Sequence, residues 1–244
     1  MDFESAYGQP VIPLRDDAPR LLTPFMTWLL LALNVAAFLF ELSLQPGNRS
    51  TFFFQFGVVP GQITEALVGG GGVSTQAVFV PVLTSMFLHA SWLHLLSNMM
   101  ALWIFGDNIE GYLGHFRYLL FYLACGVTAA SIHVLFNPSS SIPTVGASGA
   151  IAGIMGAYFL LFPTARVLTL VPLVFVFFTW LPAWLVLGYW FVVQFLGGAA
   201  TSLATGSQSA GGIAFWAHVG GFAAGMVIIK LLPQRPQRYR YRHW

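Results

Sequence analysis

Few side chains in this sequence can do chemistry in apolar surroundings, and two of them form a pattern that could activate a hydroxyl group. Ser148 stands in Gly146-Ala147-Ser148-Gly149-Ala150, directly after Pro143-Thr144-Val145. A serine at a helix start can simply be an N-cap. That reading leaves the surroundings unexplained, because Gly146, Ala147, Gly149, Ala150, Ala152, Gly153, Gly156 and Ala157 are all small. Gly149, Gly153 and Gly156 share one helical face and let a second helix approach closely. The Gly-x-Ser-x-Gly elbow of soluble hydrolases does not apply, since Ala150 replaces its last glycine and no alternating sheet is evident. His218 lies on a stripe with Gly211, Ala214, Gly221 and Gly225, all small. A lone histidine in such a place can be a hydrogen-bonded structural residue. Two small-residue faces, one carrying Ser148 and one carrying His218, would however dock naturally, and the imidazole could then take the serine proton.

His94 and Asn98 are four residues apart and therefore on one helical face. They could clamp two helices together, or beside a nucleophile they could donate hydrogen bonds to a developing oxyanion. A third triad member is not evident. Of the eight acidic residues only Glu41 and Glu65 are placed on the same side as Ser148, and neither has a local motif, so a Ser–His dyad is expected. No metal-ligand spacing occurs, the His-Glu-x-x-His motif of metal-dependent proteases is absent, and no cofactor is implied.

The elements that hold these residues must sit in a membrane. Of 244 residues 7% are charged and 57% hydrophobic, and the mean hydropathy is +0.75. An ordinary soluble domain carries roughly 25% charged residues, and disorder needs low hydrophobicity. The single cysteine, Cys125, excludes an intramolecular disulfide framework and reads as a small core residue. Spans of about 20 apolar residues are predicted from about Pro24 to Leu44, from Ser91 to Phe105 with a possible start at Leu83, and from Phe116 to Phe136. Further spans are predicted from Ser148 to Pro163, in the second half of Val167–Gly197, and from Gly211 to Leu232. Pro172 and Pro182 break the Val167–Gly197 region, so its first half reads as an apolar connection in the interface. The expected fold is an all-α, six-helix bundle over residues 24–232, with a tail at 1–23 and a basic tail at 233–244.

Six spans put both termini on one side. That side holds nine of the ten basic residues, all but Arg49, so the termini are expected to be cytoplasmic and the protein to lie in the cell (inner) membrane. Ser148, His218, His94 and Asn98 then fall in the outer half of the bilayer. The tail interleaves Arg235, Arg238, Arg240 and Arg242 with aromatic residues. Attraction to anionic headgroups explains this better than nucleic-acid binding, and no nucleic-acid partner is expected. The loop from Gln45 to Phe79, with Phe52, Phe53, Phe54, Phe56 and the glycines 69–72, is expected to lie partly in the outer headgroup layer.

Together the motifs resemble those of the rhomboid family of intramembrane serine proteases. Gly146-Ala147-Ser148-Gly149 resembles its Gly-x-Ser-Gly motif, and Ala217-His218-Val219-Gly220-Gly221 its histidine segment. His89, His94 and Asn98 match its second-span pattern, and Glu110-Gly111-Tyr112-Leu113-Gly114 is similar to the turn that follows. The resemblance implies a hydrophilic cavity opening outward, with Ser148 as nucleophile and His218 as base and then acid. It also implies an oxyanion hole of His94, Asn98 and the Ser148 N–H. Gly146 and Gly149 would shape the site, and His89 would support the first loop. The implied partners are transmembrane protein substrates, reaching the site near the fifth span, and the lipid bilayer. Two features depart from the family. Ala152 stands where many members carry an aromatic residue against the histidine, which leaves open what holds the imidazole. Arg49 follows Asn48, so a Trp-Arg loop anchor is absent or different. Asn34 and Gln194 read as hydrogen bonds between helices, His133 as a structural contact, and His115 and His243 as surface groups. A catalytically silent relative that binds transmembrane helices is the alternative from another class. A small channel or transporter would predict internal repeats or paired broken helices, which are not seen.

Overall fold

The computed structural model describes residues 11–68, 75–172, 176–205 and 214–232. Its elements are β1 (Ile12–Asp16), α1 (Phe25–Ser43), α2 (Pro46–Phe56), α3 (Pro60–Val68), α4 (Thr75–Thr84), α5 (Trp92–Leu113), α6 (His115–Phe136), α7 (Ser148–Leu161), β2 (Arg166–Pro172), β3 (Val176–Pro182), α8 (Ala183–Thr205) and α9 (Phe215–Leu231). The basic tail, Gly69 to Gly72, Gly211 and His243 lie outside the described residues.

Helices α1, α6 and the Ala183–Leu203 part of α8 are each long and apolar enough to cross a membrane. The segment Val78–Phe87 and helix α5 satisfy the same test together, with an 83° bend between them. Leu29, Leu33 and Phe40 of α1 and Phe195, Leu196 and Leu203 of α8 are exposed. These apolar outer faces suit lipid, and the protein is a multi-pass integral membrane protein.

Helix α7 is different. Every residue from Gly149 to Tyr158 is buried, and the helix is surrounded by α5, α6, α8 and α9. Its 14 residues rise only about 21 Å at 1.5 Å each, less than the roughly 30 Å of a hydrocarbon core. One end of it must therefore lie within the apolar layer. The two small-residue faces lie against each other: a Cβ at Gly221 would overlap the carbonyl oxygen of Gly149, and one at Gly225 that of Gly153. The α7–α9 backbones approach so closely that only hydrogen fits at these positions.

The connection after α7 departs from the all-α expectation. β2 and β3 form an antiparallel hairpin, with Arg166 opposite Pro182 and Thr169 opposite Thr179. β1, from the segment expected to be a tail, pairs antiparallel with β2, with Ile12 opposite Leu170 and Asp16 opposite Val167. The β-branched and aromatic run Val176-Phe177-Phe178-Thr179-Trp180 suits a pleated strand. The sheet is fastened to the bundle through α7, where Tyr158 donates a 2.5 Å hydrogen bond to Asp16.

At the same end, Glu110 of α5 caps α1. Its carboxylate accepts from the backbone N–H of Met26 at 2.8 Å and of Thr27 at 2.7 Å, and from the Thr27 hydroxyl at 2.6 Å. Helix α1 has no side-chain cap of its own, so these bonds occupy donors that would otherwise be orphaned, and the negative charge suits a helix N-terminus. His115 also meets Glu110, at 2.5 Å, which makes it part of this joint rather than a plain surface group. The chain reverses between α5 and α6 at Gly114, whose φ of +80° favours glycine.

Candidate active site

The site is built where the 142–147 loop delivers the chain to the start of α7. Thr144 pairs with Val58 as an isolated antiparallel bridge. The Gly146 N–H then donates to the Ser85 carbonyl at 2.8 Å. Gly146 has φ +135°, a conformation that L side chains rarely adopt. A Cβ on Gly146 would also sit 2.7 Å from both Cε1 and Nε2 of His94 and 3.5 Å from Ser148 Oγ. The glycine thus lets the His94 ring and the serine hydroxyl flank one small space.

Ser148 is the first residue of α7, and the preceding Ala147 offers no side-chain cap. The first backbone N–H groups of a helix have no intrahelical acceptor, and the helix dipole makes their surroundings positive. This is a suitable seat for an anionic oxygen. From α9, His218 Nε2 lies 2.8 Å from Ser148 Oγ. From α8, Gln194 Oε1 lies 2.7 Å from His218 Nδ1. An amide oxygen only accepts, so this contact suits a proton on Nδ1, which would leave the Nε2 lone pair toward the serine. Trp190 of α8 stands beside the imidazole, ring centroids 5.6 Å apart and planes inclined by 38°. With Ala152 one turn below the serine, support for the ring comes from α8 instead of α7. The expectation that Gln194 bonds between helices is met, but its partner is the histidine of the pair.

On α5, the Ser91 hydroxyl accepts from the His94 N–H at 3.2 Å and caps the helix. Asn98 is not free: its Nδ2 lies 3.0 Å from His89 Nε2. The amide has a second N–H that this contact does not use. His89 is fully buried, and its ring stands 5.0 Å from that of His94. Its backbone N–H donates to the Glu41 carboxylate at 3.1 and 3.3 Å. Arg49 from α2 donates to the carbonyls of His89 at 3.2 Å and Ala90 at 3.1 Å, lies 3.8 Å from Glu41, and covers the rings of Phe53 and Phe38. The first loop is therefore anchored by Arg49 without a preceding tryptophan. Sequence reasoning missed this role because the carbonyls Arg49 binds lie about 40 residues away.

Behind Ser148 is a cavity of about 30 Å³, lined by small groups including Gly126, Ala129 and Ala217 and bounded by Met86 and His133. His133 Nε2 lies 2.9 Å from the Thr144 hydroxyl, a structural contact that braces the loop before Gly146. Among the described residues no group of three His, Cys, Asp or Glu side chains could hold a metal ion.

Fold and site together define a membrane-embedded helical bundle with a hydrogen-bonded Ser–His pair at the start of a short, central, small-residue helix. The family model of the Rhomboid domain matches residues 76–235, and the chain belongs to the rhomboid family. It is 35% identical over 138 residues to Rhomboid protease GluP of Bacillus subtilis, covering 55% of this chain and 24% of that protein. It is 30% identical over 168 residues to Rhomboid protein 1, mitochondrial, of Saccharomyces cerevisiae, covering 67% of this chain and 44% of that one. The chain thus spans less than half the length of these curated relatives.

Proposed function

We propose that the protein is an intramembrane serine endopeptidase that hydrolyses peptide bonds in or near transmembrane segments of membrane-anchored proteins. The observation that carries this reading is the 2.8 Å contact between His218 Nε2 and Ser148 Oγ, within a chain of the rhomboid family. Relatives named as proteases, GluP among them, support it.

In the proposed reaction Ser148 Oγ attacks the scissile carbonyl carbon while His218 Nε2 takes the hydroxyl proton. The new oxyanion is held by the Ser148 backbone N–H at the start of α7, by His94 and by the spare N–H of Asn98. Collapse expels the amine, which takes the proton from His218, and leaves an acyl-serine. Water then attacks the ester, gives its proton to His218, and the serine is released with its proton restored. A substrate helix must unwind locally to be cut, because a helical peptide bond is already hydrogen-bonded and shielded. Six spans with cytoplasmic termini in the cell membrane would place Ser148 in the outer half of the bilayer. The concentration of basic residues on one side supports this orientation.

Labelling of the purified protein with a fluorophosphonate probe tests the reading. Modification of Ser148 is expected, and it should disappear in both Ser148→Ala and His218→Ala. A wild-type protein that is folded yet neither labels nor cleaves a model transmembrane substrate would instead favour the silent helix-binding relative.

A further inference from the structure

We infer that Gln194 is the positioning residue for His218, the neutral counterpart of the acid that completes a triad. The inference rests on the Ser148–His218 dyad and adds a third group to it. Gln194 is 4% exposed and points from α8 across to α9, where its Oε1 meets His218 Nδ1 at 2.7 Å. The same imidazole meets Ser148 Oγ at 2.8 Å through its other nitrogen. The three groups form one line from amide to imidazole to hydroxyl, each drawn from a different helix.

The chemistry of the line has a direction. An imidazole can accept the serine proton only through a nitrogen that lacks one. Neutral histidine carries one ring proton, so the base is competent only when that proton sits on Nδ1. Gln194 Oε1 selects this tautomer and turns the ring so that the Nε2 lone pair faces the hydroxyl. When His218 becomes imidazolium, its Nδ1–H bond to Oε1 becomes charge-assisted and stronger, so Gln194 also favours the charged form without a carboxylate. Trp190, one turn before Gln194 on the same face of α8, limits the tilt of the ring from the side. Ala152, one turn after Ser148 on α7, presents only a methyl group and cannot do this.

A structural clamp between α8 and α9 would use the same bond but forecast different results. Full-length protein in nanodiscs, labelled with ¹⁵N-histidine, reports the His218 tautomer directly, with the signal assigned by its loss in His218→Ala. The expected spectrum has Nδ1 protonated and Nε2 unprotonated, and Gln194→Leu should shift the population toward the other tautomer. In cleavage assays Gln194→Leu should lower kcat about 10- to 100-fold with KM nearly constant. In Ser–His–acid triads a partner favouring the wrong tautomer costs about 10⁴, and a neutral partner is expected to cost less. Gln194→Glu keeps the acceptor, so it should restore kcat and move the acid limb of the pH–rate profile upward. The other titratable side chains acting on His218, His94 of α5 and His133 of α6, are common to both proteins and cancel in that comparison. Wild-type kcat in Gln194→Leu, or an Nδ1 that is unprotonated in the wild type, overturns the inference. So does a Gln194→Glu variant as slow as Gln194→Leu when both melt at a reduced temperature, which is the clamp's signature. Failure of the dyad itself is separate: it appears as absent Ser148 labelling, while the tautomer measurement still decides the role of Gln194.

Discussion

The molecule carries two buried polar clusters at opposite ends of α5, and they differ in how fully their hydrogen bonds are spent. At the Glu110 end one carboxylate receives two backbone N–H groups, the Thr27 hydroxyl and His115. Nearby, Arg20 pairs with Asp107 at 2.8 Å and Tyr158 with Asp16. At the His94 end Glu41 and Arg49 brace the chain around His89, while the groups nearest Ser148 are only partly used. Ser148 Oγ has His218, Asn98 has one N–H engaged, and the start of α7 has no side-chain cap. The more fully bonded cluster fixes helix ends. The second leaves an N–H of Asn98 and the first N–H groups of α7 without a side-chain partner near the Ser148–His218 contact, which suits the proposed chemistry. Intramembrane polarity alone marks both, so the state of satisfaction separates joint from site.

Substitutions should break this contrast in opposite ways. The largest effect is expected for Ser148→Ala, which should abolish substrate cleavage, a loss of at least about 10³ in rate, with an unchanged melting temperature. His218→Ala should match it. Substantial turnover in either variant would misplace the nucleophile or base.

At the other end Glu110→Ala should cost about 3 kcal/mol or more of stability, since it leaves several buried donors unmatched. Thermal unfolding in detergent measures this, and residual activity per folded molecule should stay near wild type. A stable but inactive Glu110→Ala protein would erase the distinction between the two clusters.

Asn98→Ala sharpens the comparison, because Asn98 touches both roles. Loss of an oxyanion donor costs about 10²–10³ in rate, whereas an interhelical hydrogen bond averages only about 0.6 kcal/mol. The expected result is a lowered kcat with a small change in melting temperature. Near-normal kcat would confine Asn98 to supporting His89.

The smallest effect is expected for Tyr158→Phe, and it should depend on pH. Burial raises the Asp16 pKa above the ordinary 3.8, and the Tyr158 hydrogen bond opposes that rise. A folded state that holds its proton more tightly than the unfolded chain loses stability as pH climbs from the unfolded pKa through the folded one. Removing the hydroxyl raises the folded pKa further, so more stability is lost by neutral pH. Tyr158→Phe should therefore be less stable than wild type by about 1–2 kcal/mol near pH 7, with a smaller gap near pH 4. Equal gaps at both pH values would mean that Asp16 ionisation is not linked to this contact.

How much of this could be read beforehand depended on where each partner lies in the chain. Ser148 and His218 could be read because each sits among small residues at helical spacing, so the docking of α7 on α9 is encoded locally on both sides. The β1–β2–β3 sheet could not. The segment from Val167 to Pro182 is apolar except for Thr169 and Thr179 and lacks a strict alternation, and the strand that completes the sheet comes from about 150 residues earlier. The partners of Arg49 and Gln194 were hidden for the same reason, although a bond between helices was expected of Gln194. A lone arginine in a loop and a lone amide in a span gain their roles only from the His89 and Ala90 carbonyls and from His218 Nδ1.

The sequence by itself determined that the chain lives in a membrane, because too few charges exist to wet a soluble surface. It also determined that two helices must touch backbone to backbone, because no side chains intervene. Only the tertiary structure decided which polar groups are spent and which are free, and what turns the imidazole. Those properties depend on angstrom-scale distances between groups from different helices, and a helix's own periodicity fixes the face a residue occupies but not the neighbour it meets.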